Sequence, residues 1–115
     1  MSADGWFDVF AYDELEQDVP EGVRVDGHYL ALFRIGDGVY ATSGTCSHAE
    51  ADLCKGYVEG DTIECPLHQA RFHIPTGKVL CEPAEVGIPV YPAEVRNGRV
   101  FVRLPGENGE SLRRS

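Results

Sequence analysis

Cys46-Ser47-His48 and Cys65-Pro66-Leu67-His68 are the two stretches on which the rest of this chain depends for its reading. Between them lie the 16 residues from Ala49 to Glu64. Each run offers one thiolate and one imidazole, so the pair supplies two soft sulfurs and two borderline nitrogens. That donor set suits a tetrahedral zinc ion. It equally suits a [2Fe–2S] cluster with two cysteines on one iron and two histidines on the other. A classical zinc finger takes both cysteines from one knuckle and both histidines from a helix. Here cysteine leads in both runs, as C-x-H and then C-x-x-H, and the surrounding residues read as strand and loop.

Outward from these runs, helical signals are nearly absent. Aromatic-rich Trp6–Tyr12 reads as a strand, and Asp13-Glu14-Leu15 as a single turn or bend. Pro20-Glu21-Gly22 reads as a turn before a short strand, Val23–Val25. Asp26-Gly27 is a two-residue hairpin signal, and His28–Ile35 the returning strand. Gly36-Asp37-Gly38 turns the chain into Val39–Thr42, which delivers the first run. Ala49 to Lys55 is polar and irregular. Gly56–Asp61 is a short strand and turn, and Thr62-Ile63-Glu64 leads into Cys65. Ala70–Ile74 alternates, Pro75-Thr76-Gly77 turns, and Lys78–Cys81 follows. Val90-Tyr91 and Ala93–Val95 make a strand region among prolines. Asn97-Gly98 is the strongest type I′ turn signal, and Arg99–Leu104 is the last strand. The expectation is an all-β antiparallel sandwich in one domain, 1–115. A small cluster-binding subdomain is expected at about 43–80, and 105–115 as a tail.

The bulk properties narrow the function. The chain has 115 residues, 43% hydrophobic and 25% charged, which is ordinary globular composition. It has no apolar run near the ~20 residues of a membrane helix, and Met1–Gly5 has no signal-peptide character, so the expected location is the cytoplasm. A net charge of −9 excludes nucleic acid as a partner, because phosphate binding needs clustered Lys and Arg. The charge is uneven: residues 1–54 carry 11 acids and only Arg24 and Arg34, whereas 55–115 balance. No nicotinamide or flavin motif and no non-haem iron triad is present, so the chain reads as no enzyme by itself. Cys54 and Cys81 lack a His at ligand spacing and read as small buried hydrophobes. His28 and His73 read as structural or surface imidazoles, and Trp6, Phe7, Phe10 and Tyr12 as core. Glu50 and Asp52 form either a solvated loop charge or an acidic rim. Gln69 and Arg71 flank the second run and are candidates for partner or loop contacts, and Pro83 either shields the site or ends a strand.

The paired runs resemble the Rieske motif. The stretch from Gly60 through Cys65-Pro66-Leu67-His68-Gln69-Ala70-Arg71-Phe72, with Thr76-Gly77-Lys78, resembles the Rieske-type ferredoxins of bacterial aromatic-ring-hydroxylating dioxygenase systems. The likeness extends over roughly Trp6 to Leu104. It implies one [2Fe–2S] cluster, with Cys46 and Cys65 on the inner iron and His48 and His68 on the outer. It also implies one-electron transfer from a flavin-containing ferredoxin reductase to a terminal oxygenase. The alternative within the same superfamily is the small Rieske subunit of a nitrite reductase-like complex.

Two neutral imidazoles in place of two thiolates make the cluster less negative by about two charges, which raises its readiness to accept an electron. Within the family range of about −150 to +300 mV, neighbouring donors set the value. High-potential members of the superfamily carry an extra Cys in each loop, joined as a disulfide. Ala51 and Leu67 stand at the matching positions, so that bond cannot form. Those members also place hydroxyls beside the cluster where this chain has Ala70 and Phe72. The expected midpoint therefore lies at the low end of the range, and a redox titration giving a clearly positive midpoint contradicts this.

Overall fold

The structure is a computed structural model, and it describes residues 5–46, 51–66, 69–81 and 86–105. Among the described residues, eleven strands form three antiparallel sheets. The first sheet has the order β1 (Trp6–Ala11), β11 (Arg99–Arg103), β10 (Ala93–Arg96). In the second, β2 (Glu21–Val25), β3 (His28–Ile35), β4 (Gly38–Ser43) and β9 (Val90–Tyr91) lie side by side. The third is a meander of β5 (Tyr57–Glu59), β6 (Thr62–Glu64), β7 (Arg71–His73) and β8 (Val79–Cys81). Among the described residues the only helical turns are two short 3-10 pieces, Tyr12–Glu14 and Leu53–Lys55.

The two strongest turn signals act as their sequence requires. Asp26-Gly27 joins β2 to β3 and Asn97-Gly98 joins β10 to β11. Both central residues have positive φ in each turn: 51° and 82° in the first, 51° and 78° in the second. That is the type I′ geometry whose twist matches paired strands.

The middle sheet separates two cores. Successive side chains of a strand point to opposite faces. Leu30 and Leu32 of β3 pack with Leu15, Ala41, Val100, Val102 and Leu104 against the first sheet. Ala31 and Phe33 pack on the other side with Ile63, Phe72, Ile74, Leu53, Cys46 and Cys65. All four β3 residues are fully buried, which explains why this strand reads as a continuous apolar run rather than an alternating one.

Three expectations change. Glu21 and Gly22 are not a turn, for they pair with Leu32 and Ala31 in β2. The glycine there marks a close approach, because a Cβ at position 22 would lie 2.5 Å from the Tyr29 hydroxyl. The polar stretch ending at Lys55 contains a defined 3-10 turn over Leu53–Lys55. Trp6, Phe7, Phe10 and Tyr12 are half-buried, and the last three pack against the first-sheet core rather than lying inside it. Arg96 lies over the Trp6 ring at 4.9 Å and Arg34 over Tyr12 at 4.3 Å, so cation–π contacts cover the outer faces of two of them. Pro83 and the tail beyond Pro105 lie outside the described residues.

Phe33 fills the core between the middle and third sheets, so Phe33→Ala leaves a cavity there. The expected loss is about 3–5 kcal/mol, read as a lower denaturant midpoint with strand content retained before the transition.

Candidate metal centre

Two loops are built alike. The first leaves β4, and its feet are Thr45 and Asp52, which form an antiparallel bridge. The second joins β6 to β7, and its feet are the paired residues Glu64 and Arg71. Each loop therefore spans six residues from a cysteine to an alanine. In the first, the Cys46 N–H donates to the Ala51 carbonyl at 2.9 Å; in the second, the Cys65 N–H donates to the Ala70 carbonyl at 2.7 Å. The same five-residue closure recurs in both. In the second loop Gln69 has φ 63°, the left-handed region, and this reverses the chain so that the Ala70 carbonyl can meet Cys65.

Both cysteines point into one core. Cys46 is 4% exposed and Cys65 is 0%, and they share a cluster with Leu53, Ala70 and Phe72. Neither forms a disulfide. The loops are held side by side at Gly56, which follows the 3-10 turn. A Cβ there would sit 2.1 Å from the carbonyl oxygen of Glu64, the residue before Cys65. Only glycine permits that approach, so this position fixes how near the two loops stand. His48, His68 and Leu67 lie outside the described residues.

The residues present fit a mixed-ligand iron–sulfur cluster. Two buried thiols rise from matching loops, and each loop carries one histidine two or three positions further on. A pair of such loops can hold one iron through sulfur and the other through imidazole. Among the described residues the core that the thiols share includes Leu53, Ala70 and Phe72, all fully buried and none carrying a hydroxyl.

Several described titratable residues have partners away from the two thiols. The His73 Nε2 lies 3.0 Å from Asp61 Oδ2, and its Nδ1 lies 2.8 Å from Thr76 Oγ1, which ties the two ends of the β6–β7 hairpin together. The His28 ring meets Tyr91 edge-on at 6.2 Å. Arg71 pairs with Glu64 at 3.1 Å across the feet of the second loop. Asp52 is neither a solvated charge nor a rim. It is half-buried and accepts the Tyr29 hydroxyl on both oxygens, at 2.9 and 3.0 Å. Its Oδ1 also accepts the Cys54 N–H at 2.9 Å. Tyr29 gave no signal in the sequence, since it is 23 residues away from Asp52 and sits within an apolar strand.

Cys54 is half-buried beside this group and packs on the cluster-side core. Burial, the main cause, pushes its thiol up to about 11, so it is a neutral thiol at physiological pH and not a ready ligand or nucleophile.

A match to the Rieske [2Fe-2S] domain over residues 5–92 agrees with this geometry. The chain belongs to the Rieske [2Fe-2S] family. It is an electron-transfer protein that takes one Rieske-type [2Fe–2S] cluster. It is 41% identical over 99 residues to the ferredoxin component of the naphthalene 1,2-dioxygenase system of Pseudomonas putida, covering 86% of this chain and 95% of the relative. It is 47% identical over 92 residues to the 3-phenylpropionate/cinnamic acid dioxygenase ferredoxin subunit of Escherichia coli K12, covering 76% and 87%. Among solved structures, a chain in the complex of reduced oxygenase and oxidized ferredoxin of carbazole 1,9a-dioxygenase superposes with TM-score 0.81 at 38% identity, covering 87% and 94%. A protein described as a putative NADH-dependent nitrite reductase small subunit from Mycobacterium tuberculosis superposes with TM-score 0.79 at 32% identity, covering 88% and 96%.

The raised Cys54 pKa carries a stability consequence. The folded state favours the neutral thiol, so the benefit is complete below the ordinary thiol pKa of 9.0 and is lost as pH rises towards 11. The slope from this one group is at most about 1.4 kcal/mol per pH unit. Cys54→Ala is expected to flatten the fall in melting temperature between pH 9 and 11, and an unchanged profile contradicts the assignment.

Proposed function

We propose that Cys46 and Cys65 ligate one iron of the cluster and His48 and His68 the other, and that the chain is the ferredoxin component of an aromatic-ring-hydroxylating dioxygenase system. The observation that carries the reading is the pair of matching loops, each closed from a buried Cys N–H to an Ala carbonyl five residues on. In this role the chain receives electrons from a flavin-containing ferredoxin reductase fed by NAD(P)H and delivers them to a terminal oxygenase, in the cytoplasm. The cluster, when bound, supplies one-electron storage. The protein's own part is to bury the two thiolates, close the loops, and leave the partner-facing edge to the histidines.

Several further features support this role. The relatives covering most of the chain are named as ferredoxin components of dioxygenase systems. A similar chain is found in a complex with the oxygenase of carbazole 1,9a-dioxygenase. Among the described residues no helix is long and apolar enough to cross a membrane. The acidic half, residues 1–54, suits encounter with a basic partner surface, since complementary charge speeds association. The likeness to a putative nitrite reductase small subunit supports the second reading, for which co-purification with a large sirohaem subunit is the mark.

The purified protein should contain two iron and two acid-labile sulfide per chain. Dithionite reduction should give a Rieske EPR signal, and His68→Ala or Cys46→Ala should abolish it. A terminal oxygenase of this class should reoxidise the reduced protein rapidly. One zinc per colourless chain overturns the ligand assignment. A normal cluster without transfer to any such oxygenase overturns the partner.

A further inference from the structure

We propose that Tyr29 is a positioning residue for the cluster, holding the chain on both sides of the first loop, at Gly44 and Asp52, to the middle sheet. The inference rests on the ligand assignment just given. Tyr29 lies on β3, which belongs to the framework and contributes no candidate ligand. Its carbonyl accepts the Gly44 N–H at 2.9 Å, two residues before Cys46. Its phenol donates to both carboxylate oxygens of Asp52, the residue directly after the loop's closing Ala51. One side chain with its own backbone thus grips the chain on either side of residues 46–51.

Three further features make the grip rigid. Asp52 is fixed at its other end, because its Oδ1 accepts the Cys54 N–H and its backbone pairs with Thr45. The Tyr29 ring lies against Gly44, where a Cβ would come within 2.5 Å of a ring carbon. The Arg24 guanidinium lies 4.9 Å from the ring centroid. The phenol stays a donor throughout the working pH range, since burial, with Cys54 and Asp52 adding to it, raises its pKa well above the ordinary value. The second loop is anchored differently. It is continuous with β6 and β7, and its feet are joined by the exposed Arg71–Glu64 pair. Gly56 sets how near the two loops stand, and the Tyr29–Asp52 bond holds the first loop's exit in place within that spacing.

A bond that sets ligand geometry differs from one that only adds stability, because the first alters the electronic signature of the cluster. The test compares holoprotein wild type, Tyr29→Phe, Asp52→Ala and the double variant. Phenylalanine keeps the ring on Gly44 and removes only the hydroxyl. In Tyr29→Phe the EPR g-values of the reduced state and the midpoint potential are expected to shift. Cluster loss to an iron chelator is expected to quicken about tenfold, the usual worth of a buried hydrogen bond to a charged group. The double variant should lose its cluster no faster than Asp52→Ala, because both changes remove one interaction. Wild-type g-values and potential in Tyr29→Phe overturn the proposal, even if its melting temperature falls. So do effects that simply add in the double variant. Tyr29→Phe decides the matter alone if Asp52→Ala fails to fold. If the wild-type chain holds no cluster, both the ligand assignment and this inference fall. If the wild type holds it and Tyr29→Phe is silent, only this inference does.

Discussion

Strand β3 must be buried on both faces, and the rest of the structure follows from that constraint. Leu30 and Leu32 take one core while Ala31 and Phe33 take the other, so the middle sheet is shared by the framework sandwich and the metal-bearing layer. A strand with one wet face could support only one of them. The order β2-β3-β4-β9 places β3 inside the sheet, where both faces can be covered. The same strand carries Tyr29 at its start, which extends its influence from packing to the geometry of the first loop.

The metal-bearing layer solves a particular problem. Two cysteine sulfurs must be held away from water at the ends of two separate loops. Six-residue loops do this economically. Their first residue is tucked into the core, and their last carbonyl closes on that residue. The small residues at the closing positions, Ala51 and Ala70, let the chain pass close to the thiols. Ala70, with Phe72 beside it in the same core, also brings no hydroxyl donor there.

Much of the fold was legible because turn chemistry is local. Asp26-Gly27 and Asn97-Gly98 demand positive φ at two successive residues, and both hairpins form where those pairs stand. Where a glycine answers a distant neighbour, local reading misleads. Gly22 looks like part of a turn beside Pro20, yet it sits mid-strand because the Tyr29 hydroxyl occupies the space of its missing side chain. Asp52 misleads in the same way. An aspartate in a polar loop reads as a solvated charge, and its partners Tyr29 and Cys54 are supplied by another sheet and by the following turn.

The sequence by itself determined the all-β class and the family and put forward the candidate ligands, because ligand spacing, donor chemistry and turn residues are properties of short stretches. Tertiary structure alone decided that the two runs sit on loops of matching closure, that Gly56 sets their separation, and that Tyr29 grips the first of them. Those features join residues far apart in the chain, and no local pattern encodes which strand will lie beside which loop. The chemistry was therefore written in the two runs, and the placement of one run against the other came from packing.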